Sequence, residues 1–324
     1  MKGKKIIVTR GAGFIGSALT EQLLAMDCRV VCVDNFSTGR RENIVSFLSD
    51  PHYTLVEGDI CDTDLMKQVC AGADYVLHEA ALGSVPRSIA FPEASYQANI
   101  TGTASVFHAA AQSGVKRIVF ASSSSVYGDS TELPKREDRT GNVLSPYALT
   151  KKVCEQTALL FKDLYNIEII GMRYFNVFGR RQNPAGAYAA VIPRFMDALL
   201  RHYAPTIYGD GTTSRDFTYV DDVVQANLKA LTAPGINGEM FNIASSREIT
   251  LLELYSAIRN ALAENDPQIR TIQPVFAPPR QGDIPRSLAD ISKAESRIGY
   301  KPAFPFEEAI HRTADWYCAN RNEK

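Results

Sequence analysis

The sequence has almost no charge excess. Its 35 basic and 36 acidic residues leave a net charge of −1, so no field of one sign invites nucleic acid or an anionic membrane surface. Basic doublets such as Arg40-Arg41 and Arg180-Arg181 read as solvated faces. No window approaches the about 18 apolar residues of a membrane span. The run Ile6-Ile7-Val8 behind Lys4 and Lys5 ends at Thr9 and Arg10, too short for the core of a secretory signal. A cytoplasmic protein is expected. Cys28, Cys32, Cys61, Cys70, Cys154 and Cys318 have neither metal nor disulfide spacing and read as buried, reduced thiols. His52, His78, His108, His202 and His311 are equally scattered. No metal site, internal repeat or low-complexity segment is expected.

What is present is an alternation. Short apolar runs at Ile6–Val8, Arg29–Val33, Tyr53–Val56, Tyr75–His78, Arg117–Phe120 and Ile167–Ile170 read as strands. Ser17–Met26, Asn99–Ser113 and Tyr147–Leu164 read as helices between them. Continuous apolar strands separated by helices predict an α/β fold, a doubly wound parallel sheet covered on both faces. After Phe178 prolines thicken and the alternation is lost, which predicts a smaller mixed α/β domain over 179–324. Met240–Ile243 reads as a strand returning to the first domain, residues 1–178, from a segment near 220–246. Ligand is expected between the second domain and the carboxyl edge of the sheet.

Gly11-Ala12-Gly13-Phe14-Ile15-Gly16 follows a strand and opens a helix, the setting a Rossmann-type dinucleotide fingerprint requires. Glycines let the backbone approach a diphosphate, and the helix start offers free N–H groups. Asp34 ends the second strand, eighteen residues after Gly16. A carboxylate there accepts ribose hydroxyls and repels a 2′-phosphate, which favours NAD over NADP.

Tyr147 and Lys151 lie one helical turn apart. A nearby ammonium and a positive nicotinamide ring both favour phenolate, suiting the tyrosine to removing a hydroxyl proton while hydride leaves for NAD. The spacing alone is common on helices. It gains weight from the serine run Ser122-Ser123-Ser124-Ser125 at a strand end, from Arg173 through Gly179 at the same edge, and from Arg215, Asp216, Arg280 and Asp283 farther on. Arginine forks suit a diphosphate.

Assembled, these motifs resemble the extended short-chain dehydrogenase/reductases, specifically the UDP-hexose 4-epimerases and, among them, the bacterial UDP-N-acetylglucosamine 4-epimerases. The stretches that carry the resemblance are Ala81 to Ser88, Leu144 to Tyr147, Arg173 to Pro184 and Gly186 to Pro193. The resemblance implies Tyr147 as catalytic acid/base, with Ser123 assisting, Ser124 nearby, and Lys151 easing ionisation of the phenol. It implies a diphosphate cradle of Gly11, Gly13, Phe14, Ile15 and Gly16. Asp34, Asn35, Ser37 and Thr38 would hold the adenosine ribose, and Asp59 and Ile60 would flank adenine. Ala80, Ala81, Leu82, Asn99 and Tyr174 would line the cofactor channel. Ser84, Arg87, Asn176, Ala190, Val191, Tyr208, Arg215, Arg280 and Asp283 would bind the UDP-sugar.

A homodimer through a four-helix bundle, built from Asn99–Ser113 and Tyr147–Leu164 of each chain, is implied as well. Ser287 matches the position where a small side chain admits a 2-N-acetyl group. UDP-GlcNAc and UDP-GalNAc are therefore the expected substrates, with tightly held NAD as cofactor. UDP-GlcNAcA/UDP-GalNAcA and UDP-glucuronate stay open as alternatives. The related 4,6-dehydratases need an Asp-Glu pair where this chain has Ser124 and Ser125. One position departs from the family: Arg10 stands where a glycine begins the loop. If φ is positive there, a side chain costs on the order of 1 kcal/mol. Arg10 also opens a reading of another class, a catalytically silent NAD-binding protein, against which Tyr147, Lys151 and Ser123 stand intact.

Overall fold

The computed structural model describes residues 1–185, 189–279 and 284–320. The first half runs Lys5–Thr9 (β1), Phe14–Ala25 (α1), Arg29–Asp34 (β2), Tyr53–Glu57 (β3), Thr63–Cys70 (α2) and Tyr75–His78 (β4). It continues through Val85–Ala90 (α3), Pro92–Tyr96 (α4), Gly102–Gln112 (α5), Arg117–Ser123 (β5), Pro146–Leu164 (α6) and Glu168–Tyr174 (β6). Val177–Phe178 (β7), Val191–Leu200 (α7), Thr206–Tyr208 (β8), Ser214–Asp216 (β9), Thr218–Tyr219 (β10) and Val220–Thr232 (α8) follow. Met240–Ile243 (β11), Glu248–Thr250 (β12), Leu251–Asn265 (α9), Val275–Ala277 (β13), Ser292–Ile298 (α10) and Phe306–Ala319 (α11) complete the order.

Seven strands form one sheet in the order β11-β6-β5-β4-β1-β2-β3, all pairs parallel. The expected return of Met240–Ile243 is there: β11 pairs with β6, Met240 opposite Gly171. Alternate residues of the apolar strands serve opposite faces. Ile7, Val33, Val76 and Ile118 pack with Met66, Phe107 and Ala158 of α2, α5 and α6. Ile6, Val8, Leu77 and Val119 pack with Leu19, Leu23, Val223 and Ala226 of α1 and α8. Strand order reverses between β1 and β4, so the crevice at their carboxyl ends is the natural ligand position.

Several boundaries shift from the sequence reading. The first helix starts at Phe14, inside the glycine-rich run, because Gly13 serves as its N-cap. The expected helix Asn99–Ser113 is a π-helical turn over Gln97–Thr101 leading into α5. Burial of all six cysteines needs correction: Cys61 and Cys318 are partly exposed, Cys61 at the turn after β3 and Cys318 near the end of α11. All six are free thiols. Among the described residues no helix is long and apolar enough to cross a membrane, and no cluster could hold a metal ion.

Candidate active site

The glycine-rich loop joins β1 to α1 at the crevice. Gly13 N–H donates to the Arg10 carbonyl at 2.9 Å. A Cβ on Gly16 would lie 2.2 Å from that carbonyl oxygen, so only glycine lets α1 come this close to the loop. Arg10 itself has φ +53°, the left-handed conformation that costs a side chain roughly 1–2 kcal/mol.

Beside the loop, one small cavity gathers Asp34, Asn35, Ser37, Thr38, Asp59, Ile60, Ala80, Ala81 and Leu82, with Arg10 on its wall. Six of these, Asp34 to Ile60, are residues the resemblance assigns to adenosine, and Ala80, Ala81 and Leu82 are ones it assigns to the cofactor channel. Each oxygen of the buried Asp34 already accepts a backbone N–H, from Ala12 at 3.0 Å and Phe36 at 2.8 Å. A carboxylate keeps a lone pair on each oxygen after that, which suits two ribose hydroxyls. Burial raises the Asp34 carboxyl, with the two backbone N–H groups and Arg10 opposing.

Ser145 caps α6 by accepting the Ala148 N–H, and Pro146 occupies the first turn. The helix thus begins one residue before Tyr147. Ser88 Oγ accepts the Tyr147 N–H at 3.0 Å, tying α3 to this start. Lys151 is buried and donates to the Ala121 carbonyl at 2.6 Å, which anchors it to the end of β5. Its Nζ lies 6.0 Å from the Tyr147 ring centre. Tyr147 keeps partial exposure, as a residue that meets substrate must. At the end of β5, Ser123 Oγ accepts the Ser125 N–H at 3.2 Å and Ser124 opens the following 3-10 turn. The Ser123 hydroxyl proton remains available for donation.

Two expected channel residues turn out to work inside the scaffold. Asn99 is fully buried, accepts the Leu82 N–H at 2.7 Å and donates to Thr150 Oγ1 at 2.9 Å. It fixes the Leu82 segment against α6 one residue from Lys151. Tyr174 is also buried; its hydroxyl donates to Glu79 at 2.9 Å and accepts from Asn227 at 2.8 Å. Glu79 escaped the sequence reading. The signal available was a carboxylate directly after the apolar strand Tyr75–His78, at the ligand edge. Burial pushes its carboxyl up to about 7, against the pull of Tyr174, Lys151 and Arg10.

A second, larger cavity of about 530 Å³ lies over β7 and α7, within the range of sites for small molecules. It collects five expected substrate residues: Asn176, Ala190, Val191, Tyr208 and Arg215. Phe195, Phe217 and Thr206 complete walls the sequence did not single out. Ser84 and Arg87 lie elsewhere, at the N-cap and first turn of α3, where Ser84 Oγ accepts the Arg87 N–H. Ser287 is partly exposed on the segment whose Pro285 carbonyl accepts the Ser214 N–H of β9. Arg280 and Asp283 lie outside the described residues.

This constellation, a nucleotide fingerprint beside an anchored Tyr-Lys helix and a separate larger cavity, defines a nucleotide-dependent oxidoreductive site. The family model for the NAD dependent epimerase/dehydratase family matches residues 6–244. A putative UDP-glucose 4-epimerase of Methanocaldococcus jannaschii is 37% identical over 97% of this chain and 99% of its own. Among solved structures, a UDP-N-acetylglucosamine 4-epimerase from Methanobrevibacter ruminantium, in complex with UDP-N-acetylmuramic acid, superimposes with a TM-score of 0.92 and 38% identity. The match covers 99% of this chain and 100% of that one. A Thermus thermophilus UDP-glucose 4-epimerase in complex with NAD gives 0.85 and 30%, over 97% and 99%. The chain belongs to the NAD-dependent epimerase/dehydratase family of extended short-chain dehydrogenase/reductases and is an NAD-dependent epimerase.

Proposed function

We propose that this enzyme interconverts UDP-GlcNAc and UDP-GalNAc by transient oxidation at C4. The observation that carries the reading is the 530 Å³ cavity with Asn176, Tyr208 and Arg215 on its wall; Asn176 follows the end of β6, where Tyr174 pairs with Ser123 of β5. Arg215 suits a diphosphate, since its fork bonds two oxygens at once. Arg280 and Asp283 are proposed to complete the grip on the nucleotide. Bound NAD supplies the hydride acceptor and donor at the sugar carbon. The chain's own residues handle the proton and the orientation. Tyr147 takes the O4 proton and later returns it, Ser123 donates to the same oxygen, and Lys151 keeps positive charge beside the phenol. Holding the sugar only through its diphosphate lets the 4-keto sugar turn and present its other face.

Ser287 supports the choice of an N-acetylhexosamine, because its small side chain leaves room at C2. Ser287→Tyr is expected to lower kcat/KM for UDP-GlcNAc by about 10- to 100-fold while largely preserving UDP-glucose turnover. NMR of epimer formation from UDP-GlcNAc, UDP-GlcNAcA and UDP-glucose tests the assignment. Faster turnover of the uronic acid or of UDP-glucose by the parent enzyme would overturn it.

The same reading includes a homodimer through α5 and α6. Leu149, Leu160 and Leu164 on α6 are 40%, 56% and 64% exposed, a run of apolar side chains left to solvent in the single chain. Sedimentation equilibrium should return a particle of two chains, and Leu160→Asp should shift it to one. A parent enzyme that sediments as a single chain would remove the dimer. Cytoplasmic residence accords with six free cysteines.

A further inference from the structure

Arg10 is out of place in two ways. Its backbone sits at φ +53°, a conformation that glycine adopts more readily than any other residue. Its side chain lies flat on the glycine loop: a Cβ added to Gly13 would meet Arg10 Cγ at 3.0 Å and Nε at 3.2 Å. The residue keeps partial exposure, but Nε has none and finds no hydrogen-bond partner among the described residues. Its charge senses Asp34, Tyr147, Glu79 and Arg87, so it sits between the adenosine cavity and the catalytic helix. Asp34 accepts from Ala12 and Phe36, and Glu79 from Tyr174; both attract the Arg10 cation through space. With the arginine there, the cavity it lines measures only about 60 Å³, far below the ~300–1,000 Å³ of small-molecule sites.

A strained residue whose buried Nε has no hydrogen-bond partner, and whose charge meets Asp34 and Glu79 through space only, can take up a further anion. The cofactor of this family provides one. A dinucleotide whose adenosine end occupies the Asp34 cavity and whose nicotinamide reaches Tyr147 carries its diphosphate past Gly13. We propose that Arg10 is a diphosphate-binding residue: its side chain covers Gly13 in the free chain and turns off it to bond the phosphates of NAD. The residue that breaks the glycine pattern then adds a charged ligand to the backbone N–H groups at the start of α1, and it opens the channel as it does so. A guanidinium matches phosphate oxygens by charge and by its paired donors.

The rival account, that Arg10 only obstructs the channel, predicts the opposite sign for one measurement. Full-length protein freed of nucleotide is titrated calorimetrically with NAD⁺, ADP-ribose and adenosine at low and high salt. Arg10→Met keeps the length and removes the charge; Arg10→Gly removes both side chain and strain, which keeps a foldable variant in the test. The expected result is a Kd for NAD⁺ and ADP-ribose raised about 10-fold or more in both variants. The salt dependence of binding should flatten, and adenosine affinity should stay unchanged. Arg10→Lys should fall between parent and Arg10→Met. Binding of NAD⁺ by Arg10→Met or Arg10→Gly as tight as the parent's, or tighter, overturns the proposal. No sugar enters the titration, so its outcome is independent of which UDP-sugar the enzyme epimerises.

Discussion

Tyr147→Phe is expected to lower kcat for epimerisation by about 10²- to 10⁴-fold, the usual weight of a positioned acid/base, with much less effect on substrate binding. The variant removes one oxygen from a residue whose place is fixed by other atoms. Its backbone N–H bonds Ser88 Oγ, the helix is capped by Ser145, and Lys151 is tied to the Ala121 carbonyl. None of these contacts uses the phenol, so fold, NAD content and the position of the ammonium should persist. A loss in kcat with KM nearly constant is the signature of an interaction made in the transition state. Rapid-quench turnover of UDP-GlcNAc, beside the NAD content of the purified variant, reads both quantities. A Tyr147→Phe enzyme within tenfold of the parent in kcat would move the acid/base role elsewhere.

Part of the cofactor half of the site was legible because it is local. The glycine run and Asp34, the last residue of an apolar strand, could be read from the residues themselves, whereas Asp59 and Ala80 to Leu82 came from the resemblance; parallel pairing of β3, β2, β1 and β4 brings these strand ends to one edge. Tyr147 and Lys151 were legible for the same reason, since helical spacing fixes them on one face. The substrate half depended on resemblance. Its walls come from strands of two or three residues, such as β8 paired with β13 and β9 paired with β12, too short to show a period of two. The resemblance puts Asn99 and Tyr174 on the cofactor channel, while their polar atoms bond Leu82, Thr150, Glu79 and Asn227. A sequence does not reveal which way a polar group faces when both a channel and a core lie within reach.

Glu79 yields the last expectation, and its effect falls on stability. Its carboxyl sits at about 7 in the folded chain, chiefly because burial penalises the charge, against 4.5 for the free side chain. The folded state therefore binds this proton more tightly than the unfolded state. Below pH 4.5 both states carry it and its contribution is fully present. Between 4.5 and about 7 the unfolded chain ionises while the folded one resists, so stability falls as pH rises; above about 7 the loss is complete. At about 1.4 kcal/mol per unit, the full change is roughly 3 kcal/mol. Buried Asp216 and Asp222, both raised to about 6 by burial, add to the same trend, so the parent alone does not isolate Glu79. Glu79→Gln does, because its amide oxygen can still accept from Tyr174 Oη while the titration disappears. Urea unfolding of NAD-free protein at pH 5 and pH 8 should show the parent losing about 2.5 kcal/mol more than Glu79→Gln across that interval. Equal losses in the two proteins would mean that Glu79 is ionised throughout, held as a carboxylate by Arg10 and Lys151.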